Sequence, residues 1–231
     1  MQDLSLEMAK AVRRFEPIET EGLTLYPIQV KDIDEFTTAR PAIEFMQQSL
    51  PVAMLSKPLL QAYYTLELDA AKNGQPGSGL FYKCILFLLL AMRVGNGLPS
   101  EKRIELVDLE LQANDPTRLK SVLIFANGEV KRITPMQFQR LRPILAAQNG
   151  IELVSENANP ELVQAERDLA EMNAPKLQYR VETLKATIAT FSGADEADME
   201  EWPILKLLLR RDAVQRLAGY ITCSFAEAQG G

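Results

Sequence analysis

Histidine is missing from this 231-residue sequence, which limits the chemistry that the chain can carry out. Without an imidazole, Ser-His-Asp and Cys-His catalysis, His-ligated zinc or iron, and histidine-based pH switching are excluded. The two cysteines, Cys84 and Cys223, lie too far apart along the chain for the short spacings of a zinc site. Both stand in apolar helical contexts, so we expect two reduced, buried thiols, with a single disulfide as the open alternative.

Carboxylates are clustered at two places where acid–base chemistry or metal binding could be considered. Asp32, Asp34 and Glu35 stand at the start of a predicted helix, where negative charge complements the helix dipole. Five more carboxylates fall within residues 195–201, without the glycine-centred spacing of a calcium loop. We therefore predict no metal site in either cluster, and we assign no catalytic and no cofactor-binding residue.

Cationic side chains and a glycine-rich loop are the remaining candidates for ligand chemistry. Arg140 and Arg142 could bind an anion, although arginines near helix ends more often face solvent or form ion pairs. Lys83 is the lysine that we expect to be partly desolvated, with its amine extending toward solvent. The loop at 73–79 (NGQPGSG) lacks the Gly-Lys-Ser/Thr of a phosphate loop and is predicted to be a linker.

Four residues of the C-terminal region are predicted to contact a partner protein. Trp202 precedes Pro203 at a helix entrance, where it can act as a packing staple or anchor a partner, since tryptophan is enriched in interface hot spots. Arg210 and Arg211 follow, and they are also compatible with a solvated face or with ion pairs. Tyr220 completes the predicted partner-binding set.

Charge and hydropathy restrict the class of protein further. The net charge of −6 and the isoelectric point near 5.0 argue against binding nucleic acid through counterion release. The most apolar stretch, residues 80–94, is shorter than the roughly 20 apolar residues that a membrane span needs. Residues 1–16 are charged throughout and lack the apolar region of a secretory signal. We therefore expect a cytoplasmic protein without nucleic-acid or membrane partners.

Helical spacing and helix-start signals predict that most of the chain is helical. The predicted helical segments are 3–15, 31–39, 41–49, 56–72, 80–94, 134–148, 159–173, 177–191 and the region opened by Trp202. Pro41 opens the third of these segments, and Ser56 is the expected N-cap of the fourth. Thr134 and Gln137 make a capping box. Pro143 is expected to kink or break that helix near Arg142.

A change to a period of two predicts strands at 103–111, 119–126 and 129–133, joined as an antiparallel meander. Asn127-Gly128 is the strongest hairpin signal, because a type I′ turn needs positive φ at both central residues. This turn places Phe125 opposite Val130. Ile124 then lies opposite Lys131, which predicts that this side of the hairpin is the wetter one.

The secondary structure of two further segments can be interpreted in more than one way. Residues 17–22 are predicted to be a polar connector, and 23–30 a strand that bends or lies at an edge because Pro27 cannot donate to a ladder. That strand could join the meander as a fourth member. After residue 203 the apolar positions change sides at Arg210–Asp212, so either the helix breaks there or one long helix meets two partners. We favour the break.

These segments predict an α+β fold that is mostly helical, with a small three- to four-stranded antiparallel meander. The predicted organisation is an N-terminal helix and extension (1–20), an α+β lobe with the hairpin at 119–134 (21–154), and an acidic helical C-terminal lobe (155–231). The boundary rests on a change of composition: residues 155–201 contain eleven Asp and Glu but four Lys and Arg.

Four signatures appear in a fixed order: GLTLYPIQVKD, a long apolar helix, a hairpin leading into ITPMQFQRLRPILAAQNGIEL, and PKLQYRVETLKATIATFSG followed by EEWPILKLLLRRDAVQRLAGYITCSF. In this order they resemble the tail-assembly chaperone-like proteins of bacteriophages and prophages of Gram-positive bacteria. The resemblance covers roughly residues 20–226. It rests on patterned apolar positions and turns, and the first 20 residues have no counterpart in it.

The resemblance implies a non-enzymatic protein of the bacterial host cytoplasm that binds and shields a helical tape-measure-like tail protein. An exposed apolar helix face calls for helix-in-groove recognition, and many weak contacts suit later release. A homo-oligomer is compatible with this role. One alternative is a structural component of the assembled tail or baseplate, located in the virion. Another is an enzyme that uses carboxylates or lysine, which would require a deep polar pocket with two perturbed titratable groups.

Overall fold

The computed structural model describes residues 4–126, 128–154, 165, 169 and 181–228, and within 221–228 the side chain of Cys223 alone. The helices are α1 (Leu6–Arg14), α2 (Ile33–Glu44), α3 (Leu59–Lys72), α4 (Leu80–Ala91), α5 (Ser100–Ile104), α6 (Pro135–Gln148), α7 (Val181–Ser192) and α8 (Ile204–Ala228). The strands are β1 (Ile18–Thr20), β2 (Leu23–Leu25), β3 (Val107–Gln112), β4 (Asp115–Ala126) and β5 (Glu129–Ile133). The predicted α+β, mostly helical fold class is confirmed.

Helix α4 lies at the centre of the core because nearly all of its residues are apolar. Residues 84–91 are all buried. Helix α2 packs on one side, where the rings of Phe36 and Phe87 lie 5.8 Å apart. Each large apolar side chain buried in this way contributes about 1.5–3 kcal/mol. Burial of α4 therefore contributes strongly to the stability of the core.

The two prolines predicted to interrupt helices lie inside continuous ones. Helix α2 runs through Pro41, which is exposed, while Phe36, Ala39 and Ile43 bury one face on both sides of it. A proline inside a helix costs about 3 kcal/mol, which this buried face offsets. Helix α6 likewise continues past Pro143, so of the predicted kink or break near Arg142, the break is wrong.

Tertiary contacts fix the ends of these helices. The Arg142 guanidinium donates hydrogen bonds to the carbonyl oxygens of Ile43 (2.9 Å) and Phe45 (2.6 Å), where α2 ends. Helix α3 begins at Leu59, whose N–H donates to Oε1 of Gln139, so the predicted capping role of Ser56 is wrong. The capping box at Thr134, which is purely local, is confirmed.

The predicted polar connector at 17–22 is wrong, because β1 and β2 form a hairpin there. Its turn consists of Glu21 and Gly22, both with positive φ, as a type I′ turn requires. The strand predicted over 23–30 ends at Leu25 and does not join the meander. Beyond it, the N–H of Tyr26 donates to the carbonyl of Ala91 at 2.7 Å.

Strands β3, β4 and β5 form the predicted antiparallel meander. Arg103 belongs to α5, so the first strand starts later than predicted. The pairs Phe125–Val130 and Ile124–Lys131 confirm the predicted register. The assignment of faces is wrong: Ile124 is fully buried, whereas Phe125 and Val130 are 42% and 54% exposed. The face of Ile124 turns inward because it packs toward α3 and α6.

The C-terminal helix α8 is continuous over Ile204–Ala228, so the favoured break at Arg210–Asp212 is wrong and the alternative of one long helix holds. Ile204 and Leu207 are buried in the main core, whereas Val214 faces α7. The helix predicted over 159–173 lies outside the described residues, apart from Ala165 and Leu169, which are helical.

Candidate functional site

Helices α7 and α8 form a helical hairpin whose connection is anchored by two buried residues. Gly193 has a φ of +68° and ends α7, where a left-handed residue is commonly found. Ile188 on α7 and Met199 in the connection are both fully buried. Lys185 and Glu200 form an ion pair between helix and connection. These contacts hold α7 beside the N-terminal half of α8.

Trp202 attaches the start of α8 to the α+β lobe. The N–H of Val30 donates to the carbonyl of Trp202, and the N–H of Ile204 donates to the carbonyl of Ile28, both at 2.9 Å. The amine of Lys206 lies 3.9 Å from the centre of the indole ring. Trp202 is half-buried against the core. This placement corresponds to the packing-staple interpretation of Trp202.

Glu201 adds a polar contact to the same junction. Its carboxylate accepts hydrogen bonds from Lys31 at 2.8 Å and from Gln29 at 2.6 Å. The hydrogen bond from Lys31 is the main cause that lowers the pKa of Glu201 below its ordinary value. The predicted acidic cluster at 195–201 is thus partly used in ion pairs with Lys31 and, through Glu200, with Lys185.

An open apolar groove with a volume of about 150 Å³ lies between α7 and α8. A cavity of this volume lined by apolar side chains can hold a benzene-sized group. Phe191, at the edge of the groove, is 50% exposed. The lining residues, mostly apolar, are Leu184, Thr187, Ile188, Phe191, Arg211, Val214, Gln215 and Ala218.

The opposite side of α8 carries a second apolar surface, which we call the outer stripe and define as Leu209, Ala213, Leu217 and Tyr220. Their spacings of four, four and three residues place them on one face of the helix. Leu209, Leu217 and Tyr220 are 51%, 46% and 72% exposed. Single exposed apolar residues are ordinary on a protein surface, but a contiguous row of them is typical of an interaction site.

Positive charge accompanies this apolar surface. Residues 204–220 contain four cationic side chains and one carboxylate, Asp212, a net of +3 in a chain of net charge −6. Asp212 accepts hydrogen bonds from its neighbour Arg211 at 2.8 and 3.0 Å. Arg210 and Arg216 are exposed, and no ion pair joins either of them to another described residue.

The four predicted partner-binding residues therefore lie just before α8 and along it, without converging on one point. Trp202 is at the junction with the α+β lobe, Arg211 lines the groove, Arg210 borders the outer stripe and Tyr220 belongs to it. The sequence prediction missed the contribution of α7, above all Phe191. The change of the apolar positions from one side of α8 to another was the sequence signal that could have predicted a neighbouring helix, because a second apolar face requires a second packing partner.

Other candidate residues have structural surroundings. Arg140 pairs with Glu21 at 3.3 Å. Cys84 is buried, and burial raises the pKa of its thiol far above the ordinary value, whereas Cys223 is exposed. Both thiols are free, so the expectation that both are buried is wrong for Cys223, and no disulfide joins them.

A larger, polar groove of about 620 Å³ lies where α3, β4 and the start of α6 meet. Lys57, Arg118 and Lys120 line it together with Asp115. Hydrogen bonds from Thr117 are the main cause that lowers the pKa of Asp115.

No cluster of three or more potential metal ligands occurs in the described part of the chain. None of the described helices is both long and apolar enough to cross a membrane. No protein-family model, curated protein or solved structure matches the chain.

Proposed function

We propose that this protein is a non-enzymatic phage tail-assembly protein that binds and shields an apolar helix of a tape-measure-like tail protein. The outer stripe of α8 is the observation that carries the proposal. It presents exposed apolar side chains at the spacing that a partner helix recognises. The resemblance to tail-assembly chaperone-like proteins supplies the identity of the partner.

The apolar groove supports the same role. It lies on the same helix and its volume suits one partner side chain, such as a leucine or a phenylalanine. Two separate apolar surfaces on one helical hairpin provide several modest contacts in place of one tight site. A protein that must release its client during tube assembly benefits from contacts of this kind.

Co-expression with the tape-measure protein of the same gene cluster, followed by affinity purification, tests the proposal. We expect the two proteins to co-purify and the tape-measure protein to become more soluble. Tyr220→Ala removes the most exposed large side chain of the outer stripe. Loss of an interface anchor of about 2 kcal/mol lowers affinity roughly thirtyfold. Tyr82→Ala, at an exposed tyrosine of α4, is the matched control and should bind normally.

Failure of the two proteins to co-purify would count against the proposal, as would equal effects of the Tyr220 and Tyr82 substitutions. Mass spectrometry of purified particles separates the proposal from the alternative of a structural tail or baseplate component. A chaperone should be missing from the particles, whereas a structural protein should be present in fixed copy number.

A further inference from the structure

Two arginines border the outer stripe of α8 on opposite sides. Arg210 and Arg216 are six residues apart, which at 100° per residue places them about 120° apart around the helix. On the same count, all four residues of the outer stripe fall inside the arc between them. Both arginines are exposed. The surface is therefore an apolar row with a guanidinium group on each border.

Among the side chains that the structure describes, the carboxylates nearest in sequence to Arg210 and Arg216 are engaged elsewhere. Asp212 is hydrogen-bonded to Arg211. Glu200 and Glu201 form ion pairs with Lys185 and Lys31. The positive charge beside the outer stripe is consequently left without compensation by the acidic residues that we describe around it.

We infer that the outer stripe binds an acidic amphipathic helix, in which carboxylates lie on both sides of an apolar row. This inference rests on the proposed function and specifies the chemistry of its partner. The arrangement corresponds to paired helices in which apolar residues form the seam and opposite charges flank it. Arginine is suited to this role because its planar fork matches a carboxylate with two parallel hydrogen bonds.

A second copy of this chain would complement the surface poorly. Antiparallel pairing of two α8 helices would bring arginines of one copy close to arginines of the other. Asp212, the one carboxylate of residues 204–220, already pairs with Arg211. Like charges that face each other across an interface disfavour association. Charge complementarity thus selects an acidic partner over self-association.

Two synthetic helical peptides test the inference with the full-length protein. Both are about three heptads long and carry the same leucine row, flanked by glutamates in one peptide and by lysines in the other. We expect the glutamate peptide to bind at least tenfold more tightly at low salt, with the difference shrinking near 1 M salt, where the Debye length falls to about 3 Å. Calorimetry or fluorescence anisotropy measures both affinities.

Charge reversal supplies the matched variants. Arg210→Glu with Arg216→Glu should abolish the preference for the glutamate peptide. Arg13→Glu with Arg14→Glu makes the same change in net charge at two exposed arginines of α1 and should preserve the preference. Circular dichroism verifies that both double variants are folded.

Equal binding of the two peptides, stronger binding of the lysine peptide or binding of neither would overturn the inference. Concentration-dependent self-association that is lost in Tyr220→Ala would also overturn it, because a second copy would then occupy the stripe. Co-purification with the tape-measure protein decides the proposed function separately. If that protein binds with no dependence on salt or on the arginines, the inference fails and the proposed function stands.

Discussion

The side-chain oxygen of Asn149 accepts a hydrogen bond from the backbone N–H of Ile28 at 2.9 Å, in the buried interior. The Asn149 amide nitrogen donates to the carbonyl of Leu145 at 2.8 Å, which fixes the orientation of the side chain. Beside it, the amide of Gln148 donates to the carbonyl of Leu25 at 3.2 Å. The end of α6 thus satisfies backbone groups that a neighbouring strand would otherwise pair.

Asn149→Ala should lower the free energy of unfolding by about 1–3 kcal/mol, because it leaves the buried N–H of Ile28 without its acceptor. Urea denaturation measures the change, and amide exchange should accelerate at Ile28. Asn73→Ala is the matched control, since the Asn73 side chain makes an exposed hydrogen bond at the end of α3. Equal effects of the two substitutions would show that the Asn149 contact contributes little.

Arg103 and Asp32 form a buried ion pair at 2.7 Å, and the Arg103 side chain is only 2% exposed. Arg103 also donates to the carbonyl of Leu98 at 2.9 Å. Removing one partner of a buried pair leaves an uncompensated charge, so Arg103→Met should destabilise the fold by about 3–5 kcal/mol. Lys102→Met, at an exposed position of the same helix, should change stability little. Chemical denaturation of both variants distinguishes an essential ion pair from a dispensable one.

Substitution by alanine should change the stability of the protein in opposite directions at Gly219 and at Gly150. Gly219 lies inside α8, and a Cβ there would meet nothing within 4 Å, so Gly219→Ala should stabilise the helix by about 0.5–1 kcal/mol. Gly150 has a φ of +68°, and its Cβ would approach Leu205 to 3.0 Å. Gly150→Ala should therefore destabilise the protein by about 1–3 kcal/mol. Thermal melts followed by circular dichroism measure both, and equal signs would contradict the prediction.

Glu110 links β3 to its neighbours. The hydrogen bond from Lys120 is the main cause that lowers the pKa of Glu110, followed by that from Ser121. Because the pKa is lower in the folded state, the ionised group stabilises the fold above the pKa of the unfolded chain, and this contribution is lost as the pH falls through the folded-state pKa. Lys120→Met should raise the pKa of Glu110, as measured by carboxyl NMR titration. An unchanged titration curve would exclude the Lys120 contact as the cause.

The two thiols should differ strongly in reactivity. Cys223 is exposed, whereas Cys84 is buried in α4, and burial raises the pKa of its thiol. The thiolate is the reactive form, so a thiol reagent should label Cys223 in the native protein and Cys84 only after unfolding. Cys223→Ser should abolish native labelling. Rapid native labelling of that variant would show that α4 opens easily.

Local signals in the sequence were sufficient to predict the fold class, the three-stranded meander, the register of the β4–β5 hairpin, the capping box at Thr134 and the buried helix α4. Each depends on residues close together in the chain, such as the apolar run of residues 84–91. The resemblance to tail-assembly proteins and the predicted lobes at 1–20, 21–154 and 155–231 remain predictions.

Tertiary structure decided the features that depend on distant residues. Pro41 and Pro143 stay inside helices because buried faces on either side offset the lost hydrogen bond. The face of the hairpin that carries Phe125 is exposed to solvent. Packing against the helices determines which side of a sheet turns inward, and the sequence of the hairpin alone does not contain that information. Helix α8 is continuous because its two apolar faces meet different neighbours, the core at Ile204 and α7 at Val214. Sequence periodicity indicates that a helix has an apolar face. Only the tertiary structure determines which element covers that face, or whether the face stays exposed and can bind another protein.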